Sequence, residues 1–177
     1  MNYAGFWRRL GAYLIDFVVL TPIMALGAWG TDHSQWFQAL WLIPGTLFGW
    51  WFSVQLVRRH GGTPGKLLMG TRIVMSDGSP VTPRAATVRY AVMFVLSLLS
   101  SVALAYACLV FPSEHYQAMS FMQKSRALDQ LTPGWYHPLN IVMQVWVWSE
   151  FLVILFNKRK RALHDFMAGT VVVLKRI

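Results

Sequence analysis

Cysteine occurs once in this 177-residue chain, at Cys108, so no intramolecular disulfide can form and no cysteine cluster can bind a metal. Charge is also scarce: 13% of residues are Asp, Glu, Lys or Arg, with only 7 acidic against 16 basic. The net charge of +9 would suit nucleic acid only if the basic residues formed one surface, and they fall instead between long apolar runs. A phosphate loop is excluded, because Gly65-Lys66 would need a glycine where His60 stands and Ser or Thr where Leu67 stands. No loop combines a nucleophile with a base and an orienting group, which argues against an enzyme. His164-Asp165, even approached by His60, is a weak ligand set, and His33, His115 and His137 fall in outer segments. Neither metal nor cofactor is expected.

What the chain has in abundance is apolar surface. Hydrophobic residues make up 55% and aromatic residues 15%, with a mean hydropathy of +0.42, more than a water-soluble domain of this length covers. Four runs are long enough to cross about 30 Å of hydrocarbon, at residues 10–29, 36–57, 91–111 and 139–156. The expected fold is an all-α membrane protein, a four-helix transmembrane bundle in a single domain spanning 1–177. The fourth run is the shortest and contains Glu150, so a tilted or re-entrant segment competes with a full span there.

Lys and Arg in short loops stay on the cytoplasmic side, and fourteen of the 16 lie before the first run, between the second and third, or after the fourth. Lys124 and Arg126 are the exceptions, balanced by Glu114 and Asp129. Both termini are therefore expected in the cytoplasm of a multi-pass cell-membrane protein. Arg8 and Arg9 before an apolar run resemble a signal peptide, but the run is too long and is interrupted by Asp16. Helix 1 is expected to remain in the mature protein.

The connection at 58–90 opens on the turn Gly62-Thr63-Pro64-Gly65-Lys66, and Asp77-Gly78 marks a hairpin between strands at 71–75 and 80–82. The outer loop at 112–138 reads equally as a short amphipathic helix or as a plain surface loop. In the tail at 157–177, one turn of helix, a break at Gly169 and a strand are expected. That strand would join the hairpin in a small cap and bring Asp165 beneath helix 1. Lys158, Arg159, Lys160 and Arg161 suit a membrane surface carrying anionic lipid.

Asp16 interrupts the first apolar run, where an aspartate costs about 2.5 to 3.5 kcal/mol and needs protein, water or a partner around it. Arg9 lies seven positions earlier on the same helical face, too far along the axis for an easy direct pair, so an interhelical partner is expected, and Asp165 is expected to pair with Arg9 or with the basic cluster around the cap. Glu150, on a helix running the other way, falls at a similar depth. Gln55 and Arg89 add polar groups on the same side, and together these residues suit a vestibule open to the cytoplasm. If Asp16 and Glu150 face each other, one of them should hold a proton or a cation.

With Arg9, Asp16 and Asp165 so placed, the chain resembles the RDD family of membrane proteins, named for one arginine and two aspartates. The resemblance covers residues 4–10 with Leu14-Ile15-Asp16, the 62–66 turn with residues 70–74, and Arg161-Ala162-Leu163-His164-Asp165 with Ala168-Gly169-Thr170. It implies transport of unidentified ligands, in some relatives an exchange of sodium for protons; Glu150 is not part of what it implies. Two classes of function follow. One is transport or exchange of protons or small cations, which a homo-oligomer would help to build. Gly27, Gly45 and Gly49 offer weak support for close helix contact. The other is a non-enzymatic scaffold or partner-binding subunit in which the Arg/Asp network only fixes packing.

Overall fold

The computed structural model describes residues 1–175, apart from the side chains of residues 113–115. Arg176, Glu114 and His115 thus lie outside what is described. Four helical stretches are long and apolar enough to cross a membrane, the residues of Phe6–His33, Phe37–Leu68, Pro83–Val110 and Tyr136–Leu155.

Helix α1 (Phe6–His33) carries Pro22 in its interior and buries Arg9, Ala12 and Asp16 along one face, while Leu14, Phe17 and Val18 point outward. The second stretch runs from α2 (Phe37–Trp50) through a π-helical turn at Trp51–Gln55 into α3 (Leu56–His60). Gly61 ends α3 at φ +77°, a left-handed conformation that glycine adopts without steric cost. A short helix α4 (Pro64–Leu68) follows, with Pro64 at its first turn, and packs on α1.

Helix α5 (Pro83–Val110) starts from Thr82, whose hydroxyl accepts the Ala85 N–H at 3.2 Å. Its buried positions are mostly alanines, among them Ala85, Ala86, Ala103 and Ala107, and such small side chains let neighbouring backbones approach. It packs against α2 and α7 (Tyr136–Leu155), the span that holds Glu150. A Cβ on Gly49 would lie 3.0 Å from the Tyr90 hydroxyl of α5, whereas Gly27 meets nothing within 4 Å and Gly45 meets its own helix's Trp41. Gly45 and Gly49 therefore do not act as one pair in this chain's internal packing.

The chain closes with α8 (Leu163–Ala168), Gly169 at φ +67°, and the strand β2 (Thr170–Leu174). Strand β2 pairs antiparallel with β1 (Thr71–Met75), Ile73 opposite Val172. The expected hairpin is not formed. Asp77-Gly78 does make a turn, with the Gly78 N–H on Met75 O at 2.9 Å. Residues 80–82, however, are not a strand, because Pro80 has no N–H to offer a ladder and Pro83 begins α5 immediately afterwards. The free edge of β2 is taken by the N-terminus instead: Tyr3 bridges Val173, and the Ala4 N–H donates to Val172 O at 2.9 Å. Ala4, Val54, Val57, Ile73, Ala85, Ala168 and Val172 form the core of this cap.

At the opposite end, α6 (Phe121–Gln130) gives the connection at 112–138 a helix. Lys124 is buried and donates to Asp32 O at 2.6 Å and Asp32 Oδ1 at 2.9 Å, at the C-terminal end of α1. A small core of Ala107, Cys108, Phe111, Tyr116 and Leu128 lies beneath it.

Candidate functional site

Under the cap, Asp165 is completely buried, and both of its carboxylate oxygens accept hydrogen bonds. Arg9 Nη1 donates to its Oδ2 at 2.7 Å and the Ala162 N–H to the same oxygen at 3.0 Å. Arg89 Nη1 and the Thr170 hydroxyl donate to Oδ1. Helices α1, α5 and α8 and strand β2 thus converge on one carboxylate. Burial alone would raise the Asp165 carboxyl, but Arg89, His164 and Arg9 outweigh it and hold the group well below the usual carboxylate range.

All three nitrogens of the Arg9 guanidinium donate. Its Nε donates to Ala4 O at 3.3 Å and its Nη2 to Lys160 O, so one guanidinium ties together the N-terminus, the α7–α8 connection and Asp165. Lys160 adopts φ +50°, an uncommon conformation for a residue with a Cβ.

Asp16 belongs to a second cluster. Its Oδ2 accepts the Thr63 hydroxyl at 2.5 Å and its Oδ1 the Gly65 N–H at 2.7 Å, so it holds the start of α4 against α1. Among the described residues no hydrogen bond or ion pair links Asp16 to Glu150 or to Arg9. The facing carboxylate pair is therefore replaced by two separate arrangements. Each acid finds stronger partners on the element that packs over it: α4 for Asp16, α8 for Glu150.

Glu150 is buried in the apolar span α7, with its Oε1 in contact with His164 Nδ1 and its Oε2 accepting the Tyr13 hydroxyl at 3.2 Å. Beside it is a cavity of about 10 Å³, room for one water molecule, lined by Arg9, Tyr13, Lys66, Arg89, Glu150 and His164 among others. His164 Nε2 is buried, has no hydrogen-bond partner among the described residues, and stands 3.8 Å from Asp165 Oδ1. Burial and the Arg89 charge lower the His164 pKa from its usual value, against the opposing pull of Glu150 and Asp165. Gln55 lies in the π-helical turn, with its Oε1 likewise buried and unpartnered.

Arg9 and Asp165 are thus brought together, with Arg89 as a second cation, while Asp16 and Glu150 go to different clusters. Sequence reasoning gave no role to His164, and it missed Tyr13. A signal for Tyr13 was available: Arg9, Tyr13 and Asp16 recur at helical spacing on one face of α1. Thr63 was noted as part of a turn, and the pattern Thr-Pro-Gly already marked it as the start of a helix. Lys158 and Arg159 are exposed, whereas Arg161 is engaged, its Nε donating to Thr170 O at 3.0 Å.

Four apolar spans around buried ion pairs define a polytopic membrane protein. The chain belongs to the RDD family, whose profile matches residues 3–169. It is 31% identical over 113 residues to the uncharacterized protein YckC of Bacillus subtilis (strain 168), a match covering 57% of this chain and 70% of that protein. No solved structure matches it.

Proposed function

We propose that this protein handles protons or small cations across the membrane through the polar chamber around Glu150, without enzymatic chemistry. One observation carries the proposal: a buried carboxylate within a span meets an ionisable histidine beside a water-sized cavity. A carboxylate in such a place is costly unless it is used or fully paired, and a group that can exchange a proton with its neighbour suits coupling. In this reading both termini face the cytoplasm, as the distribution of Lys and Arg favours, and exposed Lys158 and Arg159 meet anionic lipid. The Arg9–Asp165–Arg89 cluster frames the chamber. Sodium is a second coupling ion to test, and a second copy of the chain would lengthen the pathway.

The test is flux. Purified protein in liposomes is expected to dissipate an imposed proton or sodium gradient, and Glu150→Gln to abolish this while the protein stays folded. Absence of flux from the intact chain, or undiminished flux in the variant, overturns the proposal.

A scaffold or partner-binding role is the second reading, favoured by the completeness of the donor sets on Asp16 and Asp165. It predicts no flux, and a specific protein that copurifies from membranes and is lost when Asp165 is changed.

A further inference from the structure

Three features of the terminal end are left over once the Arg/Asp frame is accounted for: the Glu150–His164 contact, the unpartnered His164 Nε2, and the cavity beside them. A histidine in contact with a carboxylate has a defined hydrogen arrangement. With Glu150 ionised, the hydrogen of the contact must sit on Nδ1, because a carboxylate offers only acceptors. Nε2 is then a bare lone pair, buried and with nothing donating to it. Such an atom normally costs free energy, and one of its ordinary explanations is a proton that comes and goes.

The position of Asp165 gives that proton a consequence. Oδ1 of Asp165 stands 3.8 Å from Nε2 and already accepts from Arg89 and Thr170. A neutral Nε2 repels that oxygen lone pair against lone pair. A protonated Nε2–H would instead be a charged donor competing for the same oxygen.

We propose that His164 Nε2 is a proton-binding site, and that its protonation draws Asp165 Oδ1 away from Arg89, coupling proton uptake to the docking of α8 and β2 on α5. The step balances simply. A hydronium gives its proton to the Nε2 lone pair and is left as water; the hydrogen on Nδ1 stays directed at Glu150, and the product is an imidazolium between two carboxylates. No bond between heavy atoms forms or breaks. The proposal deepens the proton-handling reading of the same chamber by naming the atom that takes the proton.

The charged and titratable groups around the ring all have assigned places. Arg9 and Tyr13 come from α1, Lys66 from α4, Arg89 from α5, Glu150 from α7 and Asp165 from α8 itself. The three cations oppose a further positive charge. Glu150 and Asp165 favour it and are the groups in closest reach of the ring, one at each nitrogen. The depressed basicity of the ring places the transition on the acid side of the ordinary histidine range, so neutral pH keeps the Arg89–Asp165 contact closed.

The full chain in lipid nanodiscs, with histidine ring and arginine guanidinium nitrogens isotopically labelled, allows the test by nuclear magnetic resonance without any transport assay. His164 is assigned by the signal lost in His164→Gln or, should that variant not fold, by the signal displaced in Glu150→Gln. As pH is lowered from neutral into the acid range, below the ordinary histidine value, Nε2 is expected to change from bare to protonated while Nδ1 stays protonated throughout. The labelled guanidinium signal of Arg89 should move with the same midpoint. In Glu150→Gln the midpoint should fall to lower pH, because the carboxylate that stabilises the imidazolium is gone. A ring that titrates at Nδ1, a ring that does not titrate, or a titration to which Arg89 is indifferent would each overturn the proposal. Titration without flux would sink the transport reading and leave this one standing; flux without titration would do the reverse.

Discussion

The N–H of Gly65 donates to Asp16 Oδ1 at 2.7 Å, and a Cβ added to Gly65 would lie 2.1 Å from the carbonyl oxygen of Ala12, one turn earlier on α1. The carboxylate inside the first span is therefore satisfied by a backbone that can come this close only because residue 65 has no side chain. Gly65→Ala is expected to force α4 off α1 and to cost about 1 to 3 kcal/mol. Thermal unfolding in detergent checks this, and an unchanged midpoint would mean that the two helices are not held at this distance.

Asp16 itself should tolerate Asn better than Ala. An amide oxygen still accepts from Gly65 and the Thr63 hydroxyl can turn to accept from the new amide nitrogen, whereas Ala strands both donors. The same thermal measurement should give Asp16→Ala a loss of about 1 to 3 kcal/mol, with Asp16→Asn clearly smaller. Equal losses would show that the negative charge, not the hydrogen bonds, is what holds α4.

At Asp165 the order is different, because two guanidinium groups depend on its charge. Asp165→Asn leaves Arg9 and Arg89 buried beside a neutral group and should cost about 3 to 5 kcal/mol. Because the folded carboxyl lies below its unfolded value, its stabilisation is complete above about pH 4 and is lost as pH falls through the folded value. The wild-type protein should therefore lose stability in strong acid along a limb that Asp165→Asn lacks. Parallel acid limbs would contradict the pairing.

His164 acts with the same sign in a higher window. Its folded pKa is depressed, so the unfolded chain binds the proton first as pH drops below about 6.5, and stability declines from there toward the folded value. His164→Gln should flatten that part of the stability profile. A profile unchanged by the substitution would place His164 in water.

Arg9→Lys tests geometry at constant charge. A lysine ammonium cannot reach Ala4 O, Lys160 O and Asp165 together as the guanidinium does, so a loss of about 1 to 3 kcal/mol is expected despite the conserved charge. Faster hydrogen exchange at the N-terminal bridge to β2 should accompany it, with α6 at the opposite end unaffected.

Much of the fold was legible before any coordinates. The four spans follow from run length and hydropathy, and the tail's helix, glycine break and strand follow from Gly169 ahead of a β-branched run. Asp77-Gly78 is a turn, as its composition demands, yet it does not close a hairpin. Turn chemistry fixes a reversal over four residues but not which strand takes the edge beyond it.

By itself the sequence determined that this chain enters a membrane and that Asp16 and Glu150, inside apolar runs, had to be sheltered there, because the cost of a charge in hydrocarbon depends only on what the residue is and how apolar its surroundings are. Which donor each acid meets was decided by tertiary structure. Arg9 finds a residue 156 positions away and Asp16 a glycine 49 positions away, and no periodicity along the chain encodes such distances. Only the docking of α4 on α1 gave Asp16 its donors, and only the docking of α8 on α5 and α7 set Asp165 between two guanidinium groups and His164 against Glu150.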